Sequence, residues 1–399
     1  MAAGLGVFYP FFSLYLAESL GFTGAQLGLT FAVMPLVSMV AQPFWGHIAD
    51  RTGSRTIVLM LLSAGTAVGY ALLTLPRTFA GVIAATSVLS FFSTSLFSIG
   101  SAVSLTAIQQ SGRSVPFGRV RVWGTIGFFC TVTGVPALLT QLAHMLSRTE
   151  REIFHWTFAL AAALSALSAI VALGLPRAAP HEHARLVPGD QRWLLSHKPY
   201  LRVLAVNFAA YLFVNGPMVL FPVYVRSRGG NTTTVSQMWI CMLAMETVLM
   251  FTSANIHRRI GLRAAVALGV LGCGLRWIGC ALCHDLTWVY PLQMLHGLYV
   301  VSLQVSATLL VESLVPDRLR ASGQAGLSLL GSGLGGILSS TLAGMLLDAQ
   351  NIDVVMWVCG CTGSVLGMAT LWILPHAGSV QTQSSAGPTP VRLFVERQD

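Results

Sequence analysis

Three ionisable side chains lie deep inside stretches of sequence that are otherwise apolar: Glu246, Arg276 and His296. Counted from the polar connectors bounding those stretches, they sit about ten, twelve and fourteen residues in, or roughly 15, 18 and 21 Å at helical rise. Charge at that depth in a hydrocarbon layer is costly, and its presence points to function. An acid, a permanent cation and a histidine at one depth make a proton-coupling set: a glutamate beside a guanidinium stays ionised, and withdrawing that guanidinium lets it take a proton. The competing reading is a buried ion pair that only fixes helix packing, with His296 a neutral ring hydrogen-bonded in the core.

A second set could hold a solute. Arg119 and Arg121 open the fifth apolar run, and no Asp or Glu occurs between Asp50 and Glu150. The same two arginines also fit a simple excess of cations on the inner side of a membrane. Tyr15 in the first run, and Asn207 and Asn215 in the seventh, are candidate polar contacts. Small polar groups at helical spacing equally serve to pack helices against each other.

The frame for these residues follows from composition. Of 399 residues only 9% are charged and 54% are hydrophobic, and the mean hydropathy is +0.70. A soluble domain carries roughly 25% charged residues, so this chain cannot cover a water-facing surface. Its solvent is a bilayer. The net charge of +9 does not mark a nucleic-acid binder, because the cations fall in short connectors with no basic stripe. The seven cysteines all lie in apolar stretches and read as packing residues.

Apolar runs of spanning length recur at about 2–19, 26–46, 56–75, 79–108, 118–140 and 153–174, then at 199–222, 234–256, 264–283, 288–310, 323–347 and 353–374. The expectation is an all-α integral membrane protein of twelve transmembrane helices. Domain limits are 1–175 for a first six-helix bundle, 176–198 for a cytoplasmic linker, 199–374 for a second bundle and 375–399 for a disordered tail. The first run is short for a span and has no basic leader, so it is not read as a cleavable signal; part of the first helix, or a cytoplasmic leader, is expected ahead of it. Of 23 Lys and Arg, seventeen fall in one set of alternate connectors and five in the other, the last being Arg276. That asymmetry puts both termini in the cytoplasm of a multi-pass protein of the inner (plasma) membrane.

The connector after the second run reads Gly46-His-Ile-Ala-Asp50-Arg51-Thr-Gly53-Ser-Arg55. After the eighth it reads Ala254-Asn-Ile-His-Arg258-Arg259-Ile-Gly261-Leu-Arg263, so that Arg51 falls on Arg259 and Arg55 on Arg263. Parallel duplication of this kind is a transporter trait. The first copy resembles the Gly-x-x-x-Asp-Arg-x-Gly-x-Arg signature of the major facilitator superfamily. In that family the cluster, here Gly46, Asp50, Arg51, Gly53 and Arg55, latches one conformation. The second copy has Arg258 where the aspartate would stand, which implies a weaker latch.

Further stretches are similar to one branch of that superfamily, the phenylpropionate and lactose permeases: Phe8 to Leu16, Ala41 to Gly46, Phe117-Gly-Arg119-Val-Arg121-Val-Trp-Gly124, Leu275-Arg276-Trp277 and Leu295-His296-Gly297. The resemblance implies two pseudo-symmetric bundles and proton symport by alternating access. It gives Arg121 a substrate role and Arg276 with His296 a coupling role; the glutamate that partners this substrate arginine in lactose permease has no counterpart here, and a cation without it suits a carboxylate. The glutamate that would follow the histidine by one turn is replaced by Tyr299, which leaves Glu246 as the candidate proton carrier. The implied partners are a small-molecule substrate, protons and the lipid bilayer, with a monomeric working unit. No cofactor, metal or enzymatic activity is expected. The substrate read from Arg121 is a small, aromatic carboxylate; sugars, nucleosides or exported drugs and metabolites are the alternatives. Gly331-Ser-Gly333-Leu-Gly-Gly336 formally matches a dinucleotide-binding pattern, but it lies within an apolar run with no strand before it.

Overall fold

The computed structural model describes residues 1–52, 54–110, 117–175 and 190–375, and within these leaves out the side chains of Asp50, Gln109, Phe117, Arg119, Arg121, Asp190 and Gln191. Gly53, most of the 176–198 linker and residues 376–399 lie outside the described residues. All regular structure that is described is helical.

The first run is helical but broken. Ala2–Phe8 stops before Pro10, which has no N–H to continue the ladder, and the chain resumes as Phe12–Leu14 and a wider π turn, Tyr15–Ser19. These pieces are α1. The next helices are long: α2 (Gly24–Thr52), α3 (Arg55–Leu72), α4 (Phe79–Ile108), α5 (Phe117–Leu146) and α6 (Glu150–Leu173). A short helix, Asp190–Ser196, precedes α7 (Lys198–Ser227). Thr232–Leu282 follows as 51 residues of continuous helix, with a break inside. Gly261 there takes φ 78° and ψ 163°, backbone that a side chain rarely allows, so the stretch is two helices, α8 (232–260) and α9 (262–282). The connector expected between those runs is thus helical almost to its glycine. Then come α10 (Leu286–Leu314), α11 (Asp317–Ala349) and α12 (Ile352–Ile373). Among the described residues ten helices are long and apolar enough to cross a membrane, with 232–282 counted once and the broken α1 not counted.

Within the first six helices α3 packs on α4 and α6, α1 on α5 and α6, and α2 on α4. Within the last six, α7 packs on α11 and α12, and the 232–282 stretch on α10 and α12. The two groups meet along two seams, α2 with α11 and α5 with α8. Large apolar side chains such as Leu75, Ile170, Val171 and Phe251 remain exposed on the outside, which in this quantity marks a lipid-facing surface.

Polar links tie the two groups at the end away from residues 1 and 373. Glu18 accepts from Arg226 and lies 3.4 Å from Arg151. The Asp348 carboxylate accepts from the N–H groups of Gly24 and Ala25 at 2.5 and 2.8 Å, capping α2 from α11. Thr232 donates to Glu150 at 3.1 Å, and Ser236 to the Val132 carbonyl at 2.6 Å.

Candidate functional site

Arg276 is the centre of the buried polar cluster. It is fully buried on α9, and its donors are spoken for. Nε and Nη2 both donate to Gln293 Oε1, at 3.0 and 2.6 Å. Nη1 meets His296 Nδ1 at 3.2 Å. The thioethers of Met218 and Met242 lie 3.6 to 3.9 Å away. The guanidinium also sits over the Trp277 ring, 4.1 Å from its centre, and near Phe221 at 5.5 Å. Such ring faces stabilise a cation removed from water.

Pro291 positions the partners on α10. Its missing N–H loosens the helix, and the following turn closes with shorter-range bonds, Met294 to Pro291 and Leu295 to Leu292, both 3.2 Å. Gln293 and His296 project from this turn three residues apart. Gln293 is itself fixed, its Nε2 donating to the Val289 carbonyl at 3.0 Å.

The bond to His296 sets its tautomer. A guanidinium can only donate, so Nδ1 must accept, and the proton of a neutral ring is on Nε2. That nitrogen faces Glu246 Oε2 at 3.9 Å, about 1 Å beyond a hydrogen bond. The approach of α10 to α8 here requires Gly297: a Cβ would stand 2.9 Å from the Glu246 amide nitrogen and 3.0 Å from its Cα. The three sequence candidates therefore meet in the fold, in the order Arg276, His296, Glu246. Exposure rises along that order, from none at Arg276 to 12% of the His296 side chain and 28% of Glu246. Glu246 is the member that water reaches best.

Sequence reasoning missed Gln293, the principal partner of Arg276. Its signal was a neutral amide in an apolar run, one turn before His296. The solute candidates are placed differently from the coupling set. Tyr15 is fully buried, edge-on to Phe158 at 4.8 Å. Asn207 donates to the Leu327 carbonyl at 2.9 Å and Asn215 to Ser340 Oγ at 3.2 Å, so both asparagines bind α7 to α11. The Arg119 and Arg121 side chains lie outside the described residues, as do Gly53 and the Asp50 side chain of the first connector; Arg51 is exposed and Arg55 half-buried.

A sequence model described as the MFS_1 like family matches residues 1–357. The chain belongs to this family. It is a major facilitator transporter of the lactose permease branch, a multi-pass membrane protein and not an enzyme. The maltose permease of Geobacillus stearothermophilus is 26% identical over 373 residues, covering 92% of this chain and 90% of that protein. The lactose permease of Klebsiella oxytoca is 24% identical over 389 residues, covering 90% and 88%. The crystal structure of the nucleoside transporter NupG superposes with a TM-score of 0.81 at 18% identity, covering 93% of this chain and 96% of that one, a likeness of fold.

Proposed function

We propose that this family member is a proton-coupled symporter of a small neutral glycoside, a sugar or nucleoside, working by alternating access. In this reading twelve spans form two six-helix bundles, 1–175 and 199–374, joined by a cytoplasmic linker at 176–198 and followed by a cytoplasmic tail. Both termini face the cytoplasm of the plasma membrane. Its working unit is the monomer.

The observation that carries the coupling is the line Gln293, Arg276, His296, Glu246 across α9, α10 and α8, hydrogen-bonded as far as His296 and 3.9 Å apart at its last step. Gln293 holds a permanent cation in place, the cation fixes His296 as a hydrogen-bond acceptor, and His296 presents its Nε2–H to the one group of the line that is open enough to exchange a proton with water. Protonating Glu246 removes the charge that draws His296 toward α8, which loosens the contact between α8 and α10. The orientation is supported by the cation count itself: of the Lys and Arg in connectors, seventeen fall on the side of Arg51, Arg202 and Arg263 and five, Arg77, Arg148, Arg151, Arg226 and Arg228, on the other. The polar links between the two groups close the end opposite the proposed cytoplasmic one.

The substrate class is supported by the sugar permeases and nucleoside transporter that the chain resembles over nearly its whole length. An aromatic carboxylate is the second reading, favoured by the absence of an acid near Arg121 in the sequence. The test is accumulation of labelled disaccharides, nucleosides and aromatic acids in proteoliposomes under an imposed proton gradient. Uphill uptake of a glycoside that a protonophore abolishes supports the proposal; uptake indifferent to the proton gradient overturns the coupling, and uptake of acids alone overturns the substrate class.

A further inference from the structure

We infer that Gln42 on α2 and Thr94 on α4 form a subsite that recognises hydroxyl groups of the transported glycoside, facing the space between the two bundles. The inference rests on the glycoside reading above and names where the first bundle holds that solute. Gln42 Nε2 donates to Thr94 Oγ1 at 2.9 Å, so α2 and α4 present one joined polar pair. Gln42 is exposed and Thr94 half-buried. Asn207 differs from it: that amide is buried and donates to a backbone carbonyl, as a packing residue does.

Gln42 is turned toward the second bundle and away from lipid. The lipid-facing positions of α2 are Leu29, Leu36 and Val40, all exposed, and Gln42 lies roughly 120–160° around the helix from them at 3.6 residues per turn. It continues instead the stripe Gly28, Pro35, Met39, at spacings of seven, four and three. That stripe meets α11: a Cβ on Gly28 would stand 2.3 Å from the Ser340 carbonyl oxygen, and one on Gly333 would stand 3.6 Å from the Met39 sulfur. Thr94 stands where α4 is interrupted, between Phe79–Ser93 and Leu96–Gln110, and interrupted spans are where transporters place solute sites. With its Nε2 on Thr94, Gln42 keeps Oε1 as an acceptor and Thr94 keeps its O–H as a donor; neither has another hydrogen bond among the described residues. A hydroxyl both donates and accepts, so two neighbouring ring hydroxyls satisfy both positions without any charge. A carboxylate only accepts, and it would set a negative oxygen against Oε1. The pair therefore favours neutral polyols over acids.

The test measures equilibrium binding of labelled maltose and uridine to the full chain in detergent, each beside analogues lacking one ring hydroxyl at a time. For a parent compound that the wild type binds, Gln42→Leu should weaken binding about tenfold, the share of one or two neutral hydrogen bonds. Thr94→Val should weaken it about fivefold on the same scale, and Thr94→Ser, which keeps the hydroxyl, should bind like the wild type. For one analogue of the series, the one lacking the contacted hydroxyl, Gln42→Leu and wild type should bind equally; a general loosening of α2 against α4 would weaken every analogue alike. Unchanged affinity of Gln42→Leu for the parent, or an equal loss across the whole series, overturns the subsite and leaves the glycoside reading standing. A wild type that binds neither parent overturns the glycoside reading, and the subsite with it.

Discussion

Replacing Gln293 with leucine removes the acceptor on which Arg276 depends. Gln293 Oε1 receives two N–H groups from the guanidinium, at 3.0 and 2.6 Å, and both residues are fully buried. A hydrogen bond to a charged group contributes about 1.5–3 kcal/mol, so the pair contributes about 3–6 kcal/mol. Leucine nearly matches glutamine in size, which keeps the packing loss small. The thioethers of Met218 and Met242 already lie near the guanidinium and are weak acceptors that recover only part of the loss. A net cost of about 3 kcal/mol follows, the lower end expected for a buried charge deprived of its partner. Thiol labelling provides the assay. Cys273 and Cys280 are fully buried, and Cys280 Sγ lies 3.7 Å from Gln293 Nε2. With Cys130, Cys241, Cys283 and Cys361 changed to serine and Cys359 to alanine, labelling of Cys273 and Cys280 in detergent reports opening of this region. About 3 kcal/mol corresponds to an increase on the order of 100-fold in the opened fraction, and hence in labelling rate. Gln293→Glu keeps an acceptor for Arg276 but loses the donor to the Val289 carbonyl, and should label more slowly than Gln293→Leu. If Gln293→Leu labels no faster than wild type, Gln293 does not hold Arg276 and the rigid half of the coupling line is wrong.

Three other outcomes follow from named contacts. Gly297→Val places side-chain atoms against the Glu246 backbone, should cost about 1–3 kcal/mol through overpacking, and should impair uphill uptake more than counterflow as α10 is pushed from α8. Glu18→Gln removes a carboxylate shared by Arg226 and Arg151; a half-exposed pair of this kind is worth about 1 kcal/mol, so double electron–electron resonance between labels on α1 and α7 should show the population shifting about fivefold away from the closed end. His197 lies ahead of α7, stacked on Trp193 with ring centres 4.5 Å apart, and burial lowers its pKa from 6.5. A lowered histidine pKa means that protonation favours the unfolded chain, so its contribution is intact above pH 6.5 and is lost as pH falls below that value; thermal melts of His197→Phe should lose this part of the acid sensitivity.

The helical frame was legible because few physical signals compete with it: a chain with so few charges must face lipid, and apolar runs separated by cations define the helices. The polar residues 254–263 mark a connector between α8 and α9 in the sequence, yet in the fold they continue the helix and only Gly261 leaves it. The first run was counted as a span, and Pro10 breaks it. At the site, Glu246, Arg276 and His296 announced themselves as charge in apolar sequence. Gln293 did not, because a neutral amide looks like any polar packing residue until the guanidinium beside it is seen. Asn207 and Asn215 show the converse: their type suggested a solute contact, yet in the fold they hydrogen-bond to α11, which composition and spacing cannot distinguish.

The central claim is that Glu246 carries the coupled proton, and Glu246→Gln in proteoliposomes tests it most directly. The variant should fail to accumulate substrate against a gradient when a proton gradient is imposed, while counterflow, which needs no net proton movement, should persist near the wild-type rate. Accumulation at the wild-type level by Glu246→Gln would contradict the account and move the proton to another group.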